Sequence, residues 1–168
     1  WRERFAGLKA FRIGIVWQGS TSYSDDSQRS FHLNKFGPLA YFPGVELVCL
    51  QKGNGTEQMK QTSFPVRTLG DAFDEEGPFL DTAAVMKNLD LVIAPNTSIA
   101  HLAGAWNVPV WVILSGIASD WRWIANRDDS PWYPSMRLFR QKTGGDWDEV
   151  FNRVYAEVAK ISRTACAQ

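Results

Sequence analysis

The sequence predicts an α/β domain built on a doubly wound, mostly parallel, Rossmann-like sheet, and three observations carry that expectation. Residues 89–94, Leu-Asp-Leu-Val-Ile-Ala, and residues 110–114, Val-Trp-Val-Ile-Leu, are strand-length apolar runs. Strands apolar almost throughout belong to sheets covered on both faces. Between them Ile99, Leu102, Ala103 and Trp106 recur at helical spacing, so the unit reads strand, helix, strand. Similar runs alternate with helical segments elsewhere, which predicts about six strands in all. With 168 residues, 45% of them hydrophobic and 21% charged, the chain suits one α/β domain over residues 12–168. A linker or covering segment at residues 1–11 precedes it.

The first strand spans residues 12–17, where Ile13, Ile15 and Val16 precede a polar turn. A long polar loop, residues 18–30, follows at the carboxyl edge, where parallel sheets take their ligands. Residues 33–42 place Leu33, Phe36, Leu39, Ala40 and Phe42 at helix-compatible positions despite Pro38, which is costly inside a helix. Residues 45–50 form the second strand, residues 51–56 a glycine-bearing exit loop and residues 57–60 a weak helix. A short third strand at residues 66–69 precedes an acidic loop at 70–77. The helix expected over residues 79–87 has Phe79, Leu80, Ala83, Ala84 and Met86 on one face. Pro95 and Asn96 then end the strand at 89–94, Asn96 or Thr97 is placed to cap the next helix, and Asn107 and Pro109 stop it. Residues 115–134 form a loop dense in tryptophan and aspartate, which the size of an indole predicts to be packed down as a lid or collar. A brief strand at 137–140 and a closing helix at 147–161, with Val150, Val154, Val158 and Ile161 on one face, complete the chain.

Composition narrows the function. Eighteen basic and 18 acidic residues cancel, so no net field draws in a polyanion and nucleic acid is a poor partner, while a local pocket for one phosphate group stays open. Cys49 and Cys166 make no disulfide framework, and with 2 histidines and no cluster at ligand spacing no metal site is expected. There is no signal-like start, no apolar run reaches membrane-spanning length, and a cytoplasmic location is expected. A chain that opens on Trp1 is expected to be part of something longer.

The chemistry-bearing residues gather at the carboxyl edge. In Asn96-Thr97-Ser98-Ile99-Ala100-His101, Thr97 and His101 stand four apart. They share a face if the helix begins at Thr97. Free N–H groups at 97–99 suit an anion. A diphosphate there would take backbone bonds, a Thr97 or Ser98 hydroxyl and a hydrogen bond from His101. The plainer reading is a capped helix with His101 packed on the sheet. Ser20 and Arg29, on the first exit loop, offer a hydroxyl and a guanidinium fork, or form part of a solvated loop. Lys52 is either a phosphate counter-charge or a surface lysine. Gln18-Gly19-Ser20 matches neither a dinucleotide fingerprint nor a phosphate-loop lysine motif, which weakens a nicotinamide-dependent enzyme. The tryptophan-rich loop either stacks a base or sugar or covers a seam against another domain. Asp74, Glu75, Glu76 and Asp81 read as solvated charges near a helix start, and Asp25 and Asp26 as loop carboxylates without a partner at helical spacing.

Several stretches together resemble a known family. They are Gly14-Ile15-Val16-Trp17-Gln18-Gly19, Arg29-Ser30, Leu50-Gln51-Lys52-Gly53, Asp81-Thr82-Ala83, Leu89-Asp90-Leu91-Val92-Ile93, Thr97-Ser98-Ile99-Ala100-His101-Leu102-Ala103-Gly104-Ala105 and Pro109-Val110-Trp111. More specific still are Asp120-Trp121-Arg122-Trp123, Arg127-Asp128-Asp129-Ser130-Pro131-Trp132-Tyr133-Pro134, Leu138-Phe139-Arg140-Gln141 and Gly145-Asp146-Trp147. The chain resembles the C-terminal, nucleotide-sugar-binding half of bacterial tetratricopeptide-linked glycosyltransferases, and more distantly the lipopolysaccharide heptosyltransferases. The resemblance implies the C-terminal lobe of a GT-B fold and metal-independent, inverting transfer from a nucleoside diphosphate sugar, with no separate cofactor. It implies that Thr97, Ser98 and His101 hold the diphosphate, with His101 the catalytic candidate. Ser20, Arg29, Lys52 and Asn96 complete the expected binding set. It also implies partners in the same protein, an N-terminal lobe or tetratricopeptide repeats. Separately, an exposed tryptophan-rich collar on an isolated lobe predicts self-association. The family usually has aspartate where Asn96 stands, which leaves an inactive binding or scaffold module as the alternative.

Overall fold

Five strands pair in the order β2-β1-β3-β4-β5, all parallel. They are β1 (Phe11–Ile15), β2 (Val45–Cys49), β3 (Leu91–Pro95), β4 (Val110–Leu114) and β5 (Met136–Arg140). The structure, a computed structural model, describes residues 1–7, 10–116 and 120–166, with the backbone alone for 163–166. Helices α1 (Arg2–Phe5), α2 (Asp26–Arg29), α3 (Leu80–Met86), α4 (Ser98–Ala105) and α5 (Trp147–Cys166) complete it with three 3₁₀ segments. The chain is thus an α/β, Rossmann-like fold.

The apolar strands are apolar because both faces are covered. Along β3, Leu91 and Ile93 enter one core, with Ile13, Ile15, Trp111, Ile113, the 3₁₀ residues Leu33 and Phe36, and Val150, Phe151, Val154 and Val158 of α5. Val92 and Ala94 enter the other, with Val112, Leu114, Val85 and Met86 of α3, and Ala100 and Ala103 of α4. A period of two along the strand sends neighbours to opposite faces, and helices meet both.

Several expected elements differ, for local reasons. The segment at 33–42 is a 3₁₀ helix, Leu33–Tyr41, that contains Pro38. Its buried Leu33, Phe36 and Leu39 recur every three residues, which matches three residues per turn better than an α-helix. The weak helix is likewise 3₁₀, Thr56–Gln61. The third of the six expected strands, at 66–69, shrinks to one parallel bridge, Val48↔Arg67. Pro65 and Gly70 (φ 92°) bracket it too closely for more. In α3 the buried residues are Thr82, Val85 and Met86, while Phe79 and Leu80 are exposed. Phe79, at φ 64°, is the N-cap and stands outside the helix. Trp106 ends α4 exposed, under the Lys87 ammonium at 4.9 Å. Asp26 does have a partner at helical spacing, Arg29, at 2.9 Å within α2. Of the tryptophan-rich loop, residues 117–119 lie outside the described residues, as does the Cys166 side chain. Trp123 is buried as a packed collar requires, whereas Trp121 and Trp132 are exposed. No described helix is long and apolar enough to cross a membrane.

Gly104 tests the packing of that collar on α4, because a Cβ there would lie 2.6 Å from Cγ of Tyr133. Alanine favours a helix by about 1 kcal/mol over glycine, yet moving a packed ring costs about 1–3 kcal/mol. Gly104→Ala is expected to lower stability in urea unfolding; a stabilised variant would show that Tyr133 does not pack there.

Candidate functional site

The loops that leave β1, β2 and β3 are fastened to one another by two buried polar side chains. Gln51, directly beyond β2, is 8% exposed. Its Oε1 accepts from the amides of Trp17 and Gln18 at 3.1 Å each, and its Nε2 donates to the carbonyls of Gln18 and Asn54 at 3.0 and 2.7 Å. Both ends of the amide are thereby satisfied. Trp17, fully buried, adds an indole N–H to the Gly55 carbonyl at 3.0 Å. Asp26, 6% exposed, accepts from Arg29 Nε at 2.9 Å and from the Ser30 hydroxyl at 3.0 Å. Ser30 Oγ in turn accepts the Gly19 amide at 3.0 Å, and Arg29 Nη1 reaches the Asn96 carbonyl at 2.9 Å. The first exit loop is so joined to the third. Gly19 is required by closeness: a Cβ would stand 2.3 Å from Asp26 Oδ1 and 2.4 Å from Arg29 Nη2.

Between these loops lies a cavity of about 630 Å³, a size that accommodates a small organic ligand. Val16, Leu50 and Ile99 give it an apolar lining, and Ser20, Arg29, Lys52, Thr97 and Ser98 reach it from three loops. Thr97 is the N-cap residue of α4, in extended conformation at φ −139° and ψ 170°, and no side chain caps the helix. The expectation that Asn96 or Thr97 caps it is therefore corrected, because the Thr97 hydroxyl points back toward the Pro95 carbonyl at 3.4 Å. The amino end of α4 lines the cavity without a side-chain cap, opposite Asp74 and Glu75, and a helix amino end attracts anions.

The opposite wall comes from the acidic loop. Asp74, at φ 57°, accepts from the Thr82 amide at 3.0 Å and from the Thr82 hydroxyl. Asp81 accepts from the Asp74 amide at 2.9 Å and the Trp1 indole at 2.5 Å, and these bonds, the indole first, hold its carboxyl below the ordinary range. Asp74 and Asp81 are thus structural, not merely solvated charges. Lys52 donates to the Phe73 carbonyl at 2.6 Å, so its ammonium braces this wall while facing the cavity.

Two of the expected site residues are elsewhere. Asn96 lines a neighbouring cavity with Arg29, Tyr23 and Trp121. His101 does not line the first cavity; its ring stacks on Trp123 at 5.1 Å and 21°, with Nδ1 3.1 Å from the Tyr133 hydroxyl. The helix starts one residue later than expected, at Ser98, and the tryptophan-rich loop supplies the aromatic rings that take His101. Burial, then the charge of Arg122, pushes its pKa below 6.5. Gln51 and Asp26 were missed as organising residues, although the Asp26–Arg29 spacing of three is visible in the sequence.

No family model matches the chain, and no solved structure matches it. Protein FlbA of Caulobacter vibrioides is 28% identical to it over 149 residues, 85% of this chain and 24% of FlbA. The chain therefore spans about a quarter of the length of that relative.

Removing the Gln51 amide leaves the Trp17 and Gln18 N–H groups without an acceptor, and an unmet buried donor costs about 1–3 kcal/mol. Gln51→Leu is expected to lower the urea midpoint and to release the loops from protection in hydrogen exchange. For His101, whose folded pKa lies below 6.5, the unfolded chain binds the proton more tightly. The stability is complete above that value and declines as pH falls beneath it toward the folded pKa. Urea midpoints compared at about pH 8 and about pH 5.5 should fall for the parent chain and fall less for His101→Asn.

Proposed function

We propose that this chain is the sugar-nucleotide-binding lobe of a glycosyltransferase, which moves a sugar from a nucleoside diphosphate donor to an acceptor hydroxyl. The observation that carries the reading is the uncapped amino end of α4 opening on the 630 Å³ cavity at the carboxyl edge of the sheet. Arg29 and Lys52 line the same space, and of the diphosphate set that the resemblance to tetratricopeptide-linked glycosyltransferases implies, Thr97, Ser98 and His101, the first two line it as well.

In the proposed reaction the acceptor oxygen bonds to the anomeric carbon as the bond from that carbon to the diphosphate oxygen breaks. The bonding pair leaves with the diphosphate, and the configuration inverts. The amides at the start of α4, the Ser98 hydroxyl and the Arg29 guanidinium would stabilise the leaving charge, which dipoles already in place do without reorganising. His101, beneath Trp123, serves this reading as support for α4 rather than as a phosphate ligand. The acceptor proton would pass to a base contributed by another part of the protein, an N-terminal lobe in the GT-B arrangement. Turnover is accordingly ascribed to a longer protein, as FlbA, of which the matched stretch makes up 24%, is itself longer. Asn96 favours a second reading, a binding module without turnover, since a carboxamide replaces the family's carboxylate.

Ser98→Pro removes one amide N–H together with the Ser98 hydroxyl, and comparison with Ser98→Ala separates the two. Proline is tolerated at the first helical position, and the extended Thr97 suits the residue before it. Titration with ADP, CDP, GDP and UDP should find one that binds, and the proline variant should bind it about tenfold more weakly. Absence of binding by all four at millimolar concentration would overturn the assignment. Transfer by the unaltered full-length protein would remove the second reading.

A further inference from the structure

The segment that precedes β1 reaches the wall of the first cavity. Phe5 of α1 is buried in the core with Val48, Leu50 and Phe73. Its carbonyl accepts from Arg12 Nη2 at 2.7 Å, which ties α1 to the start of β1. Trp1, at the amino end of α1, donates its indole N–H to Asp81 Oδ1 at 2.5 Å and sets its ring edge-on to Phe73 at 6.0 Å. We infer that Trp1 is a positioning residue: by holding the acidic wall at residues 70–77 it places the Lys52 ammonium in the cavity. The anion that this ammonium serves is the diphosphate of the reading above, on which that last step rests.

The wall is fastened to α3 by one divided carboxylate. Asp81, in the first turn of that helix, accepts from Trp1 with Oδ1 and from the Asp74 amide with Oδ2, the latter at 2.9 Å. Asp74 returns its own carboxylate to the amide and the hydroxyl of Thr82. It does so at φ 57°, and a residue other than glycine keeps such a conformation only where its surroundings over-determine it. The bonds to Asp81 and Thr82 supply that constraint. Trp1 supports the first of them, since its N–H fixes the orientation of the Asp81 carboxylate.

The path from the wall to Lys52 runs through Phe73. The Phe73 carbonyl accepts from Lys52 Nζ at 2.6 Å, and the ammonium has two further N–H groups for the cavity that Lys52 lines. Phe73 is buried, with the Trp1 ring against it, and the Arg4 guanidinium covers that ring at 4.3 Å. A long side chain fixed before a ligand arrives has less freedom left to lose on binding. Lys52 owes its fixing to a carbonyl whose own residue Trp1 holds. Trp1 lines no part of the cavity, so it acts on an occupant through this wall alone.

The test compares the 168-residue chain with Trp1→Phe, which keeps a ring against Phe73 and removes the indole N–H. By nuclear magnetic resonance, exchange of the Asp74 amide should quicken about fivefold relative to the amides of β3. The Lys52 side-chain signals, assigned through Lys52→Met, should shift. ADP, CDP, GDP, UDP and inorganic pyrophosphate are titrated into both proteins, and those that bind the parent should bind Trp1→Phe about fivefold more weakly. In a Lys52→Met background Trp1→Phe should weaken binding no further, because the two changes remove one interaction. Asp74 exchange at the parent rate overturns the proposal, as do Lys52 signals that stay in place or an affinity that does not change. The same loss of affinity with and without Lys52 overturns it too, since Trp1 would then act by general destabilisation. If the parent binds none of these anions, the functional reading fails and the wall decides alone: quicker Asp74 exchange together with shifted Lys52 signals upholds the positioning role, and any other result overturns it.

Discussion

The placement of β1 beside β3 governs everything at the carboxyl edge. The chain leaves β1 for β2 past the face that holds the 3₁₀ helix Leu33–Tyr41, and leaves β3 for β4 past the face that holds α4. Parallel crossovers are right-handed, so connections running in opposite directions along the sheet must lie on opposite faces. Between β1 and β3 the exit loops separate and a crevice remains, which is where open α/β sheets take ligands.

A crevice in a sheet edge exposes loop backbone to partial burial, and buried polar backbone must find partners. Gln51 and Asp26 meet that need, one between the first and second exits and the other, through Arg29, between the first and third. Both are fully engaged, which makes the rim stiff. The same bonds divide the crevice, since the Arg29 guanidinium faces both cavities. An anion held at α4 would meet a cation already fixed in place, so little side-chain entropy would be lost on binding.

The tryptophan-rich loop serves two purposes at once. Trp123 and Tyr133 cover His101 and press against α4, with Gly104 admitting the Tyr133 ring. Trp121 and Trp132 face outward. Composition alone marks all of these rings as material for packing, yet an indole that is packed and an indole that is displayed look the same in a sequence.

Hydrophobic pattern by itself determined the fold class and the positions of five strands, because burial on both faces demands unbroken apolar runs whose length sets the strand. It also brought Ser20, Arg29, Lys52, Thr97 and Ser98 to one edge, since the ends of parallel strands share a direction. Whether 66–69 became a strand or a single bridge was decided by how much room Pro65 and Gly70 leave beside β2. The fate of His101 was decided by the arrival of Trp123 from 22 residues downstream, and that of Asn96 by the bend after β3 that puts it on the neighbouring cavity. Contacts between residues far apart in the chain depend on how whole elements dock, and local spacing carries no record of that.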